Sequence, residues 1–272
     1  MNTTVSEALA QTRQRIDTAD ARALLCHALS RDAAWLITHA NDALDDALRE
    51  RFEQLARRRA TGEPVAYLTG EREFYSLPFK VTPAVLIPRP ETELLVEATL
   101  ECIPMEAPCR VLDLATGSGC VAVAIAQHRP RARVTATDVS RAALAVARDN
   151  AARHGVSIEL VESDWFFALG AARFEAIVAN PPYIAESDPH LNEGDLRFEP
   201  RATLVAGPTG LECIELIIEQ AARYLTAGGW LLFEHGFDQG VSSRALLAAA
   251  GYGDIATRRD LAGVERVSSG RV

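Results

Sequence analysis

The stretch Asp113-Leu114-Ala115-Thr116-Gly117-Ser118-Gly119 closes an apolar, β-branched run and leads directly into a helical pattern at 120–127. A glycine-rich turn between a strand and a helix lets the backbone approach a ligand without obstruction by Cβ atoms. Strand and helix patterns then alternate beyond Glu91. This alternation predicts an α/β domain with a parallel sheet that is covered by helices on both faces.

The order of apolar runs gives the expected elements of this domain. Strands are predicted at 110–114, 133–137, 157–161, 174–179 and 230–233, and helices at 120–127, 140–153 and 211–225, with Ser140 capping the second helix. The tail at 254–259 and 264–267 is expected to add an antiparallel pair. Ligands on such sheets bind at the carboxyl ends of the strands, so the site is expected at that edge.

Two other parts precede the α/β domain, which we expect to span residues 91–272. Residues 1–73 are predicted to form a small helical domain, because apolar residues recur at helical spacing from Leu44 to Leu55. Asp32 and Asn41 are expected to start helices there. Residues 74–90 are rich in proline and alternate apolar with polar residues, which predicts a short β-hairpin and connector.

The bulk composition limits the kind of partner and compartment. Lys and Arg total 28 against 37 Asp and Glu, for a net charge of -9. This balance disfavours stable binding to nucleic acid, which depends on a basic surface. Five cysteines without CxxC spacing indicate reduced thiols, and no metal site is predicted. Neither a signal peptide nor a membrane segment of about 18 apolar residues is seen, so we expect a cytoplasmic protein.

The acid at the end of the second predicted strand adds to the cofactor signal. Asp138 follows the glycine turn by about twenty residues, where an acid commonly hydrogen-bonds ribose hydroxyls. The pattern is ambiguous by itself, because Gly117, Gly119 and Ala122 also satisfy the spacing of a nicotinamide-binding fold. A tight strand-to-helix turn, with Asp138 capping the next helix, is the purely structural alternative.

Asp113 favours S-adenosylmethionine (AdoMet) over a dinucleotide. A carboxylate in the mouth of the turn would repel a pyrophosphate, whereas it could accept a hydrogen bond from an ammonium group. A single nucleoside also requires only one half of a dinucleotide-binding sheet. Trp165, just after the third predicted strand, is a candidate to cover the adenine ring, although such a residue more often belongs to the core.

The most specific motif is Asn180-Pro181-Pro182-Tyr183, at the end of the fourth predicted strand. The prolines restrict both their own φ and the residues before them, so the Asn180 side chain and the Pro181 carbonyl are held rigidly. Together these oxygens suit the two N–H bonds of a planar NH2 group, and Tyr183 adds an aromatic face. This arrangement predicts methylation of a conjugated nitrogen by orientation and electrostatics, without a strong base.

Two further regions lie near the same edge. The long polar segment 184–204 is expected to close over a substrate, because loops of this length are often functional. Glu234 and His235 end the strand predicted at 230–233. For both of these residues a cap or a structural hydrogen bond is favoured over a part in the chemistry.

With these motifs, the chain resembles the PrmC/HemK family of protein-glutamine methyltransferases over nearly its whole length. The resemblance rests on the runs 62–64, 68–70, Leu86-Ile87-Pro88-Arg89-Pro90-Glu91-Thr92-Glu93, Ser163-Asp164-Trp165-Phe166, Asn180 to Tyr183 and Phe198-Glu199-Pro200. It implies a Rossmann-like class I methyltransferase fold. One position departs from the family pattern: Ala115 stands where the family's turn usually carries glycine, so its methyl group is expected to restrict the turn.

The resemblance also implies a site and a substrate. AdoMet would bind at residues 115–119, Asp138, Trp165 and Asn180, leaving S-adenosylhomocysteine as product. Asn180, Pro181, Pro182 and Tyr183 would hold the side-chain amide of the glutamine in the Gly-Gly-Gln motif of bacterial peptide chain release factors. By the same resemblance, methylation there would modulate translation termination. The helical N-terminal domain and the hairpin would help to grip the factor.

Four alternatives remain open. A glutamine methyltransferase of a ribosomal protein fits the turn nearly as well, although the run 89–93 looks like the release-factor branch. An adenine-N6 methyltransferase of nucleic acid would need a basic face and a base-flipping groove. A nicotinamide oxidoreductase explains the glycines but leaves Asn180 to Tyr183 unused. A non-catalytic AdoMet-binding module would not need that motif either.

Overall fold

A computed structural model describes residues 3–272, and the chain divides into two compact units. The first comprises the chain up to Glu71 together with Gly194–Phe198, and the second comprises Arg72–Glu193 and Glu199–Val272. Five residues of the long polar segment thus belong to the helical unit. Among residues 3–272, no helix combines the length and the apolar character needed to cross a membrane.

The first unit is helical, as its apolar spacing predicts. Its helices are α1 (Val5–Thr12), α2 (Thr18–Leu29), α3 (Ala33–Thr38), α4 (Asp46–Ala60) and α5 (Val65–Thr69). Asp32 caps α3 as predicted, with its carboxylate accepting a hydrogen bond from Trp35 N at 2.8 Å. The predicted helix start at Asn41 is wrong, because Asp45 provides the cap of α4 by accepting a bond from Ala47 N.

A separate core holds these helices together. Most of its fully buried members come from α2 and α4, where apolar residues recur every three or four positions. The largest of them are Leu24, Leu25 and Phe52, each 0% exposed.

A β-hairpin follows, formed by β1 (Glu71–Phe74) and β2 (Leu77–Lys80). Its turn residues Tyr75 and Ser76 have φ of 52° and 60°, the backbone of a two-residue turn that matches the twist of the strands. The predicted hairpin is confirmed, although it begins before Phe74. The charged stretch 71–73 is exposed and therefore lacks the alternation that identifies a strand from sequence.

The second unit contains a seven-stranded sheet. In chain order its helices and strands are α6 (Glu93–Cys102), β3 (Cys109–Leu114), α7 (Cys120–His128), β4 (Ala132–Asp138), α8 (Arg141–Arg153), β5 (Ile158–Glu162), β6 (Phe174–Ala179), β7 (Ile184–Ala185), β8 (Val205–Gly207), α9 (Glu212–Ala221), β9 (Leu225–Glu234), α10 (Gly240–Ala249), β10 (Gly253–Arg259) and β11 (Glu265–Arg271). The order across the sheet is β10-β11-β9-β6-β3-β4-β5.

Strand directions confirm the expected α/β architecture. Strands β3, β4, β5, β6 and β9 are parallel, whereas β11 runs antiparallel to β9 and β10 antiparallel to β11. Successive side chains of β3 and β6 point to opposite faces of the sheet and therefore belong to two different core clusters. Val111 and Val178 pack into one cluster with α6 and α7, and Leu112 and Ile177 into another with α9 and α10.

Candidate active site

The parallel strands end at one edge of the sheet, and the turns that follow them surround a cavity of about 270 Å³. Its lining comes from the connector after the hairpin, from the turns after β3, β4, β5 and β6, and from the long polar segment. The lining residues are Ala84, Leu86, Pro88, Arg89, Thr92, Asp113, Ala115, Thr116, Gly117, Ser118, Cys120, Val121, Thr137, Asp138, Val139, Ser140, Ser163, Asp164, Trp165, Asn180, Pro182, Pro200, Ala202 and Thr203.

The turn after β3 uses left-handed backbone at alternate positions. Ala115, Gly117 and Gly119 have φ of 55°, 55° and 81°. A Cβ at Gly119 would lie 3.1 Å from Ala147 Cα, so glycine allows α7 and α8 to approach closely, whereas a Cβ at Gly117 would meet nothing within 4 Å. Gly117 therefore presents bare backbone to the cavity, and Ala115 is an L-residue held in the conformation that glycine prefers.

Asp138 joins the turns after β3 and β4. Its Oδ2 accepts a hydrogen bond from Gly117 N at 2.9 Å, and its Oδ1 accepts one from Ser140 N at 2.8 Å. Burial raises the pKa of this carboxyl, while the backbone bonds lower it. Ser140 caps α8 as predicted, accepting a bond from Ala143 N at 3.2 Å. Because each carboxylate oxygen can accept two hydrogen bonds, Asp138 keeps capacity for a ligand hydroxyl.

Asp113 is a second carboxyl in the same cavity, and it is only 1% exposed. Thr116 Oγ1 donates to Asp113 Oδ2 at 2.6 Å. Burial raises the pKa of Asp113 to about 7, with the Thr116 hydrogen bond acting in the opposite direction. A buried carboxyl with this pKa responds strongly to any cation placed beside it.

Trp165 lies in the turn after β5, at the cavity wall. Its φ of 46° is left-handed, which is rare for a bulky residue and stores strain in the backbone. Ser163 holds this turn by donating from Oγ to Trp165 O at 2.8 Å and accepting from Ala168 N at 3.0 Å. Strained backbone of this kind is concentrated at ligand sites, and the role predicted for Trp165 in covering the adenine ring stays a prediction.

The segment 180–183 follows β6 and divides between cavity and core. Asn180 and Pro182 line the cavity, while Pro181 is buried. The Tyr183 hydroxyl donates to Glu234 Oε1 at 3.0 Å. Burial, followed by the Glu234 carboxylate, raises the pKa of Tyr183 well above its usual value. The sequence suggested an aromatic face for Tyr183, and the structure adds a hydroxyl with a defined partner.

Glu234 ends β9 and is 1% exposed. Its Oε2 accepts a bond of 2.6 Å from the Thr92 hydroxyl, and Asn180 Nδ2 donates to Thr92 Oγ1 at 3.0 Å. Burial raises the pKa of Glu234, and the bonds from Thr92 and Tyr183 lower it. The neighbouring His235 is fully buried and pairs with Ser268 Oγ at 3.0 Å, a structural contact as expected.

Glu199 connects the connector after the hairpin with the long polar segment. Its carboxyl is fully buried, forms an ion pair with Arg89 and accepts a hydrogen bond from Ile87 N at 3.0 Å. Both segments contribute to the cavity wall, through Pro88 and Pro200. One side of the cavity is therefore formed by two segments of the chain, whose bonded residues Ile87 and Glu199 are 112 positions apart in sequence.

The long polar segment is more ordered than a simple loop. Strands β7 and β8 pair in parallel at its two ends, with Ile184 N bonded to Leu204 O at 2.9 Å. Between them lie short 3-10 turns at 189–192, 196–198 and 201–203. Within the helical unit, Asp195 accepts a hydrogen bond from Arg59 at 3.0 Å, and Arg197 donates to Thr61 O at 2.7 Å.

Most residues singled out from sequence meet at this cavity. Those that line it are Asp113, Ala115, Thr116, Gly117, Ser118, Asp138, Trp165, Asn180 and Pro182, whereas the side chains of Pro181 and Tyr183, and Gly119, are not part of its lining. No role was predicted from sequence for Thr92, Arg89 or Glu199. These three residues lie in runs on which the family resemblance rests. The resemblance therefore included them but assigned them no function.

Comparisons with known proteins agree with this architecture. Residues 3–70 match the PrmC N-terminal domain, and residues 91–195 match the methyltransferase small domain. A release factor glutamine methyltransferase of Burkholderia pseudomallei is 53% identical over 94% of this chain and 93% of its own length. One from Xylella fastidiosa (strain 9a5c) is 50% identical over 95% of this chain and 94% of its own length.

Solved structures agree at the level of the fold. The 16S rRNA N2 G1207 methyltransferase of T. thermophilus, in complex with AdoMet and guanosine, superposes with a TM-score of 0.55 at 20% identity, covering 74% of this chain and 49% of that one. The sheet order and the glycine turn thus define a class I AdoMet-dependent methyltransferase. Within that class, the chain belongs to the release factor glutamine methyltransferase family.

Proposed function

We propose that this protein transfers a methyl group from AdoMet to the side-chain amide nitrogen (N5) of the glutamine in the Gly-Gly-Gln motif of peptide chain release factors, and so modulates translation termination. The observation that carries the proposal is a shared cavity. Asn180 and Pro182 line the same space as Gly117, Asp138 and Trp165. A cofactor held by the latter group would therefore lie beside the segment that suits a planar NH2 group.

The residues of the cavity fit AdoMet. Gly117 offers unobstructed backbone, Asp138 has acceptor capacity for ribose hydroxyls, and Trp165 has an aromatic surface for adenine. Asp113 is a buried carboxyl that an ammonium group would convert to its ionised form. When bound, AdoMet supplies a methyl group on a positively charged sulfur that is already activated for displacement.

The protein's own contribution is to orient and polarise the substrate amide. Asn180 Nδ2 is engaged by Thr92, so Oδ1 is the atom of that side chain left to accept an amide hydrogen. The Pro181 carbonyl would accept the second hydrogen. Two acceptors raise the electron density on a nitrogen whose lone pair is delocalised, and they favour its pyramidal geometry of attack. The N–C bond forms as the methyl–sulfur bond breaks, S-adenosylhomocysteine is the leaving group, and the nitrogen then releases one proton to water. This chemistry needs orientation and electrostatics, with no strong base required before transfer.

The target is a protein in this proposal, and the helical unit recognises it. A methyl donor site requires only the sheet unit, so a second unit with its own core is more than a small substrate would need. The segment Gly194–Phe198, which belongs to the helical unit, is continuous in sequence with the cavity residues Pro200, Ala202 and Thr203. The proposal includes no stable binding to nucleic acid, no membrane partner, and action in the cytoplasm, where release factors work.

Labelled AdoMet and a panel of acceptors test the proposal. The panel contains a purified release factor, the same factor with Gly-Gly-Asn in place of Gly-Gly-Gln, ribosomal proteins and DNA. We expect one methyl group on the release factor, located by mass spectrometry on the glutamine amide, and none on the Asn variant. Methylation of a ribosomal protein or of adenine, with none on the release factor, would overturn the proposal in favour of one of its alternatives.

A further inference from the structure

A chain of hydrogen bonds runs from the cavity into the core of the sheet unit. Asn180 Nδ2 donates to Thr92 Oγ1 (3.0 Å), and Thr92 Oγ1 donates to Glu234 Oε2 (2.6 Å). Tyr183 donates to the other carboxylate oxygen at 3.0 Å. Thr92 and Glu234 are 2% and 1% exposed, so the bond between them is shielded from water. Glu234 is thus joined by hydrogen bonds to Thr92, which lines the cavity, and to Tyr183 of the segment 180–183.

With Glu234 accepting from both hydroxyls, the hydrogen-bond network that joins Asn180, Thr92 and Glu234 allows one arrangement. Glu234 accepts one hydroxyl at each of its carboxylate oxygens, from Thr92 at Oε2 and from Tyr183 at Oε1, so the single hydroxyl proton of Thr92 is committed to Glu234. The Thr92 oxygen can then only accept a bond from Asn180, and only Nδ2 of that amide can donate it. The alternative flip, with Oδ1 facing Thr92, would place two acceptors against each other in a buried position, which is costly.

We infer that Thr92 and Glu234 are positioning residues that fix the flip of the Asn180 amide, so that its oxygen faces the substrate and the site selects an amide over a carboxylate. This inference deepens the proposed function and rests on it. A glutamine side chain offers two N–H donors to the Asn180 oxygen. A glutamate at the same place would bring a second acceptor against it, and the mismatch would exclude the acid.

The first test is a kinetic comparison of variants at Thr92 with the whole release factor as substrate. Thr92→Val keeps the shape but removes the hydroxyl, which frees Asn180 to rotate. We expect a loss of about 10²-fold in kcat, as is usual for a displaced reacting group, with AdoMet affinity changed by less than about twofold. Thr92→Ser keeps the hydroxyl and should retain most of the wild-type kcat.

A matched control separates positioning from packing. Thr99 is another fully buried threonine, in α6, and its hydroxyl donates to Leu95 O within the same helix. Thr99→Val therefore makes the same atomic change without touching Asn180, and it should leave kcat near the wild-type value. If Thr92→Val fails to fold, Glu234→Gln serves instead, because a carboxamide no longer commits the Thr92 proton and should lower kcat about tenfold.

The second test measures discrimination directly. With S-adenosylhomocysteine present, the wild-type protein should bind a Gly-Gly-Gln release factor at least about tenfold more tightly than its Gly-Gly-Glu counterpart. In Thr92→Val, or in Glu234→Gln where that variant is used, this ratio should fall toward one, because the freed Asn180 can turn its NH2 group to the acid. A purely structural role would lower both affinities equally and leave the ratio unchanged.

The outcomes are distinguishable. If the wild-type protein transfers no methyl group to the release factor, the proposed function fails first. If it does, the inference is overturned by wild-type kcat in Thr92→Val, by equal losses in the Val and Ser variants, or by an unchanged binding ratio.

Discussion

Gly117 N donates a hydrogen bond of 2.9 Å to Asp138 Oδ2, so the glycine turn after β3 and the acid that ends β4 form one unit. Asp138 is thus both the support of the turn and a candidate ligand of the cofactor ribose. These two tasks use the same carboxylate, because a second oxygen lone pair remains for a ligand. A change at Asp138 should therefore weaken cofactor binding in two ways, through the lost contact with the ribose and through a less firmly held turn.

We predict that Asp138→Asn raises the Kd for AdoMet by about tenfold or more, since hydrogen bonds to charged groups contribute about 1.5–3 kcal/mol. Calorimetry with AdoMet measures the change. Asp149→Asn, an exposed aspartate of α8 that pairs with Lys80, is the matched control and should bind AdoMet like the wild type. Equal affinities in all three proteins would remove Asp138 from the cofactor site.

The pH dependence of AdoMet binding should report Asp113. Its pKa is raised to about 7 in the free protein, and a cofactor ammonium beside it would lower that pKa, so binding releases a proton. The affinity for AdoMet should therefore be highest above about pH 7 and should fall as the pH decreases from 7 toward 5.5, by at most about tenfold per pH unit. Asp113→Asn should flatten this part of the profile. An identical slope in wild type and variant would assign the titration to another group.

Burial of Asp113 also has a consequence for stability. Its pKa is about 7 in the folded protein against an ordinary value of 3.8, so between these limits the folded state binds a proton that the unfolded state has released. The contribution of Asp113 to the free energy of unfolding should thus decrease as the pH rises from about 4 to 7. In denaturant titrations, the free energy of unfolding of the wild type should decrease relative to that of Asp113→Asn as the pH rises from about 4 to 7. A relative increase over this range would contradict the raised pKa of Asp113.

Replacing Ala115 by glycine tests the strain in the turn. A left-handed L-residue costs about 1–2 kcal/mol, which glycine would relieve, although glycine also increases the entropy of the unfolded chain. Ala84→Gly is a matched control, because Ala84 also lines the cavity but lacks a positive φ. In chemical denaturation, Ala115→Gly should be more stable than Ala84→Gly by about 1 kcal/mol. If both variants lose the same stability, Ala115 carries no strain.

Substrate size should matter if the helical unit recognises the release factor. Binding energy from remote parts of a substrate helps to position its reacting group, so the folded factor should have a much higher kcat/KM than a short Gly-Gly-Gln peptide. Steady-state methylation of both substrates by the same enzyme preparation measures this. Equal kcat/KM values would mean that residues 1–71 serve another purpose.

Local patterns were sufficient to predict the sheet and the position of the cavity. The turn at 113–119 and the segment 180–183 are each recognisable within a few residues, because glycine and proline restrict the backbone locally. Helices α6 and α10 were not predicted. Strand β9 was predicted only from Trp230, since its first half, Leu-Thr-Ala-Gly-Gly, looks like a turn. In the structure Leu225 pairs with Phe174 of β6, and an irregularity in the register separates this pair from that of Trp230 with Ala176.

The polar network could not be predicted for a different reason. Asn180 and Thr92 are 88 residues apart, and the bonds from Thr92 and Tyr183 to Glu234 also join distant segments. Nothing in the local sequence distinguishes a Glu at a strand end that accepts two buried hydroxyls from one that faces solvent. Such partners become visible only when the fold brings the carboxyl ends of β6 and β9 together beside α6.

The central claim, that Asn180 holds the substrate amide for methylation, is tested most directly by single-turnover transfer to the release factor at saturating AdoMet. Losing one preorganised hydrogen-bonding group of this kind costs about 10²–10³ in rate, so Asn180→Ala should be slower by that factor. AdoMet affinity should fall less, because most of the residues proposed to hold the cofactor belong to other turns. Transfer at the wild-type rate by Asn180→Ala would contradict the mechanism, even if the cofactor bound as proposed.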